Sequence, residues 1–187
     1  MDPNLKKFSL EAQDCVFVLI DIQEKLMAAM KYRDQVYRNH QTLMALATQM
    51  DIPVVKCEQY PRGLGPTVPE IAEFLPTNHY SVEKVCFSAG PAGLLDTLQE
   101  LQRKTVLISG SETHVCVFQT TRDLLEAGYT VHVIRDAVCS RFKENYLSGL
   151  QLMDKMGAVI NNTETIAFDL LRGSDHPAFK VISAAVK

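Results

Sequence analysis

Cys116 stands at the start of a helical stretch that follows the apolar run 105–109 and the turn residue Gly110. A thiol at a helix start lies near unpaired backbone donors and the positive end of the helix dipole, which favour the thiolate. The same donors can receive negative charge that builds on a substrate oxygen. Asp21 directly follows the apolar run Cys15–Ile20 and could carry the thiol proton to a leaving group. Lys84 closes the extended stretch Tyr80–Lys84; its charge could hold Asp21 ionised and draw the thiol pKa down. A lysine that supplies field, a carboxylate that moves a proton and a thiol that makes the bond are a workable set for attack on an acyl-type carbon. No histidine is required. On this reading Cys116 reacts with a small thiol reagent near neutral pH before the other four cysteines. Each residue also has a plainer reading: Cys116 as a buried thiol packed on a sheet, Asp21 as a helix cap or strand end, Lys84 as a solvated strand end.

These residues are far apart in the chain, so the elements between them must bring them together. The run Cys15–Ile20 reads as a strand covered on both faces. Helical patterns are expected over 21–30 and 34–50, then a strand over 52–57. Residues 58–69, rich in glycine and proline, read as a long ordered loop. A short helix is expected over 68–75, an extended piece over 80–84 and a helix from Pro91 to Leu101. A strand at 105–110, a helix from the Cys116 region to Glu126, a strand at 130–134, a helix over 143–156 and a last strand near 157–160 complete the alternation. Asn162 or Thr163 caps the helix that follows, and a short helix ends the chain. Strands joined by helices imply crossover connections, and so an α/β fold: a three-layer αβα sandwich on an open, mostly parallel, Rossmann-like sheet, in one domain spanning 1–187. In such a sheet ligands lie beyond the carboxyl ends of the strands. Asp21, Glu58, Lys84, Cys116, Asp136 and Ser140 are all expected there.

Composition narrows the partners. The formal net charge is -3 with no basic run, which argues against nucleic acid. No apolar stretch is long enough to span a membrane, and Met1 to Leu10 has no apolar signal core. An odd number of cysteines without Cys-x-x-Cys spacing reads as reduced thiols, so the cytoplasm is the expected compartment. Neither a metal-ligand spacing, a phosphate loop nor a dinucleotide fingerprint occurs, and no cofactor is expected. Asp21, Glu58 and Asp136 could meet a magnesium ion but are as simply strand-end residues. A Cys116–His114 dyad is the other nucleophile arrangement, although the two side chains are too close in sequence to share a helix face.

The ordered set Asp21-Ile22-Gln23-Glu24-Lys25, Glu58-Gln59-Tyr60-Pro61, Gly63-Leu64-Gly65, Lys84-Val85-Cys86-Phe87-Ser88, residues 109–117 and Asp136-Ala137-Val138-Cys139-Ser140 resembles the isochorismatase-like cysteine hydrolases, across residues 11–172. It looks closest to the isochorismatase-domain-containing branch of unassigned substrate. The resemblance implies a catalytic triad of Asp21, Lys84 and Cys116. It also implies a cis peptide between Ser111 and Glu112, an oxyanion hole from the backbone N–H groups of Glu112 and Cys116, and a homo-oligomer, dimer or tetramer. Gln23, Tyr60, Leu64, Phe87 and His114 are the candidates for shaping a pocket for a small-molecule substrate. The nicotinamidase branch of the family carries an Asp-x-His pair for a metal; the corresponding stretch here reads Glu58-Gln59-Tyr60, without histidine. Cys116 points instead to amide, ureido or carbamoyl substrates cleaved at a C–N bond. The alternatives are a catalytically silent member used for metabolite binding or protein contacts, and a metal-assisted hydrolase.

Overall fold

A computed structural model describes residues 3–186; Met1 and Asp2, in the amino-terminal stretch read above, and Lys187 lie outside the described residues. Six parallel strands form one sheet: β1 (Cys15–Ile20), β2 (Val54–Gln59), β3 (Tyr80–Lys84), β4 (Thr105–Ser111), β5 (Thr130–Cys139) and β6 (Val159–Asn161). Their order across the sheet is β3-β2-β1-β4-β5-β6. The chain therefore builds outward from β1 in one direction, returns to place β4 beside β1, and builds outward the other way. The two strands at that reversal diverge into connections on opposite sides, which opens a crevice at their carboxyl ends.

The helices are α1 (Pro3–Lys6), α2 (Glu24–Met27), α3 (Arg33–Gln49), α4 (Pro61–Leu64), α5 (Pro69–Ala72), α6 (Leu94–Leu101), α7 (Phe118–Glu126), α8 (Lys143–Lys155), α9 (Thr163–Leu171) and α10 (Phe179–Ala185). Alternate strand residues face opposite sides of a sheet, and two cores follow. Phe17, Leu19, Val54 and Leu107 pack with Leu43 and Leu46 of α3, Ile166 and Leu170 of α9 and Ile182 of α10. Val16, Val18, Ile20, Val106 and Ile108 pack with Leu94 and Leu98 of α6, Leu124 of α7 and Leu150 and Met153 of α8. With both faces covered, β1 is buried at every position, which accounts for its unbroken apolar run.

Of the boundaries that differ from the sequence reading, three bear on the site. The stretch after Asp21 forms only the single turn of α2, because Gln23 is extended and its side chain is committed to a neighbouring loop. The loop expected over 58–69 contains α4 and the start of α5, each opened by a proline at its first turn. The fifth strand runs on to Cys139 through a register shift opposite residues 108–110, so Asp136 lies within it. The Asp136 carboxylate accepts from the N–H and hydroxyl of Thr163 at 2.9 Å each, fastening the start of α9.

Candidate active site

Asp21, Lys84 and Cys116 meet at the crevice between β1 and β4. Asp21 leaves β1 with φ 51°, a left-handed turn that aspartate tolerates better than most residues. Its N–H donates to Cys57 O at 3.0 Å, and its carbonyl accepts from Ser111 Oγ at 2.7 Å, so β2 and β4 both fix its backbone. Gly110, paired with Ile20, makes this approach possible: a Cβ there would lie 2.0 Å from Ile20 O. Lys84 starts from edge strand β3 and reaches across the end of β2. Its Nζ donates to Asp21 Oδ2 at 2.7 Å, Gln59 Oε1 at 2.8 Å and Phe87 O at 3.0 Å. Both charged side chains are fully buried.

Cys116 sits in a wide turn, Thr113–Val117, between β4 and α7. Val115 N–H and Val117 N–H both donate to Glu112 O, at 3.0 and 3.3 Å. The Ser111–Glu112 peptide is cis. Gly149 of α8 backs the turn, where a Cβ would stand 3.0 Å from both His114 Cα and Thr113 O. Arg141 donates to the Glu112 carboxylate from its backbone N–H at 3.0 Å and from Nε at 3.2 and 3.3 Å. His114 Nδ1 lies 3.0 Å from Ser140 Oγ.

Burial pushes the Asp21 carboxyl above the usual carboxylate range; the Lys84 ammonium and its hydrogen bond offset only part of that. Burial also pushes the Cys116 thiol up to about 12, with the Asp21 charge adding to the rise and Lys84 opposing it. This corrects the expectation of a lowered thiol pKa: desolvation outweighs the ammonium and the helix start. Burial thus favours the protonated form of both groups. Exposure opposes the expectation that Cys116 is labelled first: Cys116 is only 6% exposed, whereas Cys86 is exposed.

The candidate pocket residues divide. Tyr60 and Phe87 are exposed and flank Lys84 through the backbone: Tyr60 N–H donates to Lys84 O at 2.8 Å, and Phe87 O accepts from Nζ. Half-buried Leu64 follows in α4, its N–H on Tyr60 O at 3.0 Å. Gln23 is a correction. It is fully buried, its Nε2 donates to Gln59 O at 3.0 Å and Gly65 O at 2.7 Å, and its Oε1 accepts from Gln59 N–H at 2.8 Å. Its amide braces the protein and has no donor to spare for a ligand. Gln59, absent from the sequence-derived site, links this brace to Lys84 and also donates from Nε2 to Val85 O at 2.7 Å. The signal available was its place in Glu58-Gln59-Tyr60 at the end of the second strand; the β2–β3 register sets it opposite Lys84.

A parallel αβα sandwich with a polar cluster at its switch point defines the class, and comparison supplies the family. Residues 15–165 match the Isochorismatase domain family. The chain is 39% identical over 170 residues to isochorismatase domain-containing protein 2 of Bos taurus, covering 90% of this chain and 81% of that protein. A solved structure of MAR1 ribonuclease from Caenorhabditis elegans superposes with TM-score 0.90 at 36% identity, covering 95% of this chain and 92% of the other. YcaC from Escherichia coli, described as an octameric hydrolase of unknown specificity, shares the fold with TM-score 0.87 at 22% identity over 95% of this chain and 90% of its own. The chain belongs to the isochorismatase family and carries its hydrolase fold. Among the described residues no helix is long and apolar enough to cross a membrane.

Proposed function

We propose that the protein is a cysteine hydrolase that cleaves a C–N bond in a small amide, ureido or carbamoyl compound. The observation that carries this reading is the buried Lys84–Asp21 pair at 2.7 Å, whose second carboxylate oxygen, Asp21 Oδ1, is buried without a hydrogen-bond partner and so is free to take a proton from Cys116. Asp21 accepts the S–H proton as the sulfur attacks the carbonyl carbon. The N–H groups of Glu112 and Cys116 hold the oxyanion. As the tetrahedral adduct collapses, the C–N bond breaks and Asp21 returns its proton to the departing nitrogen. A thioester remains, and the carboxylate then deprotonates the water that cleaves it, releasing the acid and restoring the thiol. Lys84 keeps the carboxylate oriented throughout.

Asp21 and Cys116 share one mobile proton, so they titrate as a pair. The raised Asp21 carboxyl must be ionised to accept from the thiol. Activity is therefore present above its pKa and lost as pH falls through it, at higher pH than an ordinary carboxylate would give. The test is an unbiased screen of amides, ureas and carbamates for release of ammonia or amine by wild type and Cys116→Ala. A product formed by wild type alone, with a hydroxylamine-trappable acyl group on Cys116, is the expected result. Equal turnover by Cys116→Ala would remove the mechanism.

The similarity to a structure described as MAR1 ribonuclease favours one other reading, phosphodiester cleavage. The net charge of -3 opposes it. Degradation of single-stranded RNA by wild type and not by Cys116→Ala would replace the amidase reading. An assembly of several copies fits the family and remains part of the proposal, with sedimentation as its check.

A further inference from the structure

A second concave site lies on the same edge of the sheet, over the end of β5. Its cavity of about 540 Å³ is framed by the segment entering α3, the end of β5 and the first turns of α8. Asp21, Lys84 and Cys116 do not line it. Four cations do: Lys31, Arg135, Arg141 and Lys143. The single acid, Asp136, is occupied by the bonds to Thr163 described above. Among the described residues Lys31, Arg135 and Lys143 form no salt bridge. Arg141 binds Glu112 through Nε and its backbone N–H, so the terminal guanidinium nitrogens are not used in that pair.

Cations in excess of their carboxylate partners around a concavity create a positive potential that an anion relieves; one of them, Lys31, lies 5.6 Å from the centroid of the Tyr32 ring. Between them the lining includes aromatic rings. Tyr32 and Phe142, 56% and 62% exposed, stand at the cavity with Tyr146 and Val138. A phosphate alone would leave these rings in water. An aromatic body bearing one carboxylate would cover them while its charge met the guanidinium fork. The volume falls in the range of small-molecule sites.

We propose that this cavity binds a small planar aromatic carboxylate, at a site separate from the triad. Ser140 and Arg141 form part of its wall and touch His114 and Glu112 on the nucleophile turn, so the bound carboxylate sits one contact away from that turn. The reacting bond is not placed there.

The probe is 2-naphthoate, with neutral 2-naphthamide and inorganic phosphate as controls. Titration calorimetry and amide chemical-shift mapping are run on the intact chain. We expect saturable naphthoate binding, with shifts at Ser140, Phe142 and Lys143, and affinity for naphthamide weaker by at least about tenfold. Lys31→Glu/Lys143→Glu, both exposed positions, should lose at least about tenfold in naphthoate affinity. Cys116→Ala should bind like wild type. Equal binding of the amide, indifference to the charge reversal, or competition by equimolar phosphate would overturn the assignment. So would loss of binding in Cys116→Ala, which would put the ligand in the triad crevice. Concentration-dependent self-association that protects the same amides and excludes naphthoate would overturn it in favour of a second copy of the chain.

Discussion

Two charged regions share the carboxyl edge of the sheet and are built on opposite plans. Around Asp21 the charges are buried: Lys84 donates to the Asp21 carboxylate, to Gln59 Oε1 and to backbone carbonyls, and Gln23 fixes the Gln59 backbone. Around Arg141 and Lys143, charges outnumber partners and stand in reach of water. The first plan changes proton affinities, because desolvation has no bulk water to oppose it. The second offers attraction to whatever arrives. The contrast teaches that burial converts charge into reactivity, whereas exposure converts it into recognition.

The strongest way to break this contrast is to remove the sulfur. Cys116→Ala should lower turnover of any substrate found in the screen by at least about 10³-fold, measured as amine release, while leaving naphthoate binding intact. Next comes Lys84→Met, which strands a buried carboxylate. Urea unfolding should report a loss of about 3–5 kcal/mol, held down only by protonation of Asp21.

A smaller effect sharpens the role of burial itself. His40 of α3 is fully buried; burial pulls its pKa down to about 4 against a hydrogen bond to Val36 O at 2.8 Å. Because the folded-state pKa lies below the unfolded one, the unfolded chain gains its proton first as pH falls. Stability is complete above the ordinary histidine range and drops by about 3 kcal/mol on the way to pH 4. Thermal melts over that window should show it, and His40→Met should flatten that limb. Asn162→Ala removes the cap bond from Thr165 N–H at 2.8 Å and should cost about 1 kcal/mol by chemical denaturation. Smallest is Lys143→Met in the exposed region, expected to change stability by no more than about 0.5 kcal/mol.

Much of this arrangement was legible in the sequence because it rests on local signals. Unbroken apolar runs marked β1 and β4, and the residue after each run marked the crevice. Lys84 was legible as a strand end, and the cap at Asn162 from its residue type. Gln23 was misread because a polar residue after a strand looks the same whether its amide faces a ligand or a distant carbonyl; Gly65 O is 42 positions away. The thiol pKa was misread for a related reason. Composition names the charges near a group but does not measure how much water has been excluded from it. The cavity beside α8 combines residues from 31 to 146, and a collection so dispersed leaves no motif.

Gly149 carries a last implication. Helix α8 lies on the outside of the fold, yet at this position it meets the main chain of Thr113 and His114 with no room for a methyl group. The helix acts as a spacer gauge whose setting is the absence of a side chain. Gly149→Ala would transmit a few tenths of an ångström to the loop holding the sulfur. An alteration made on the outer layer would thus be read out as a change in how the thiol is aimed.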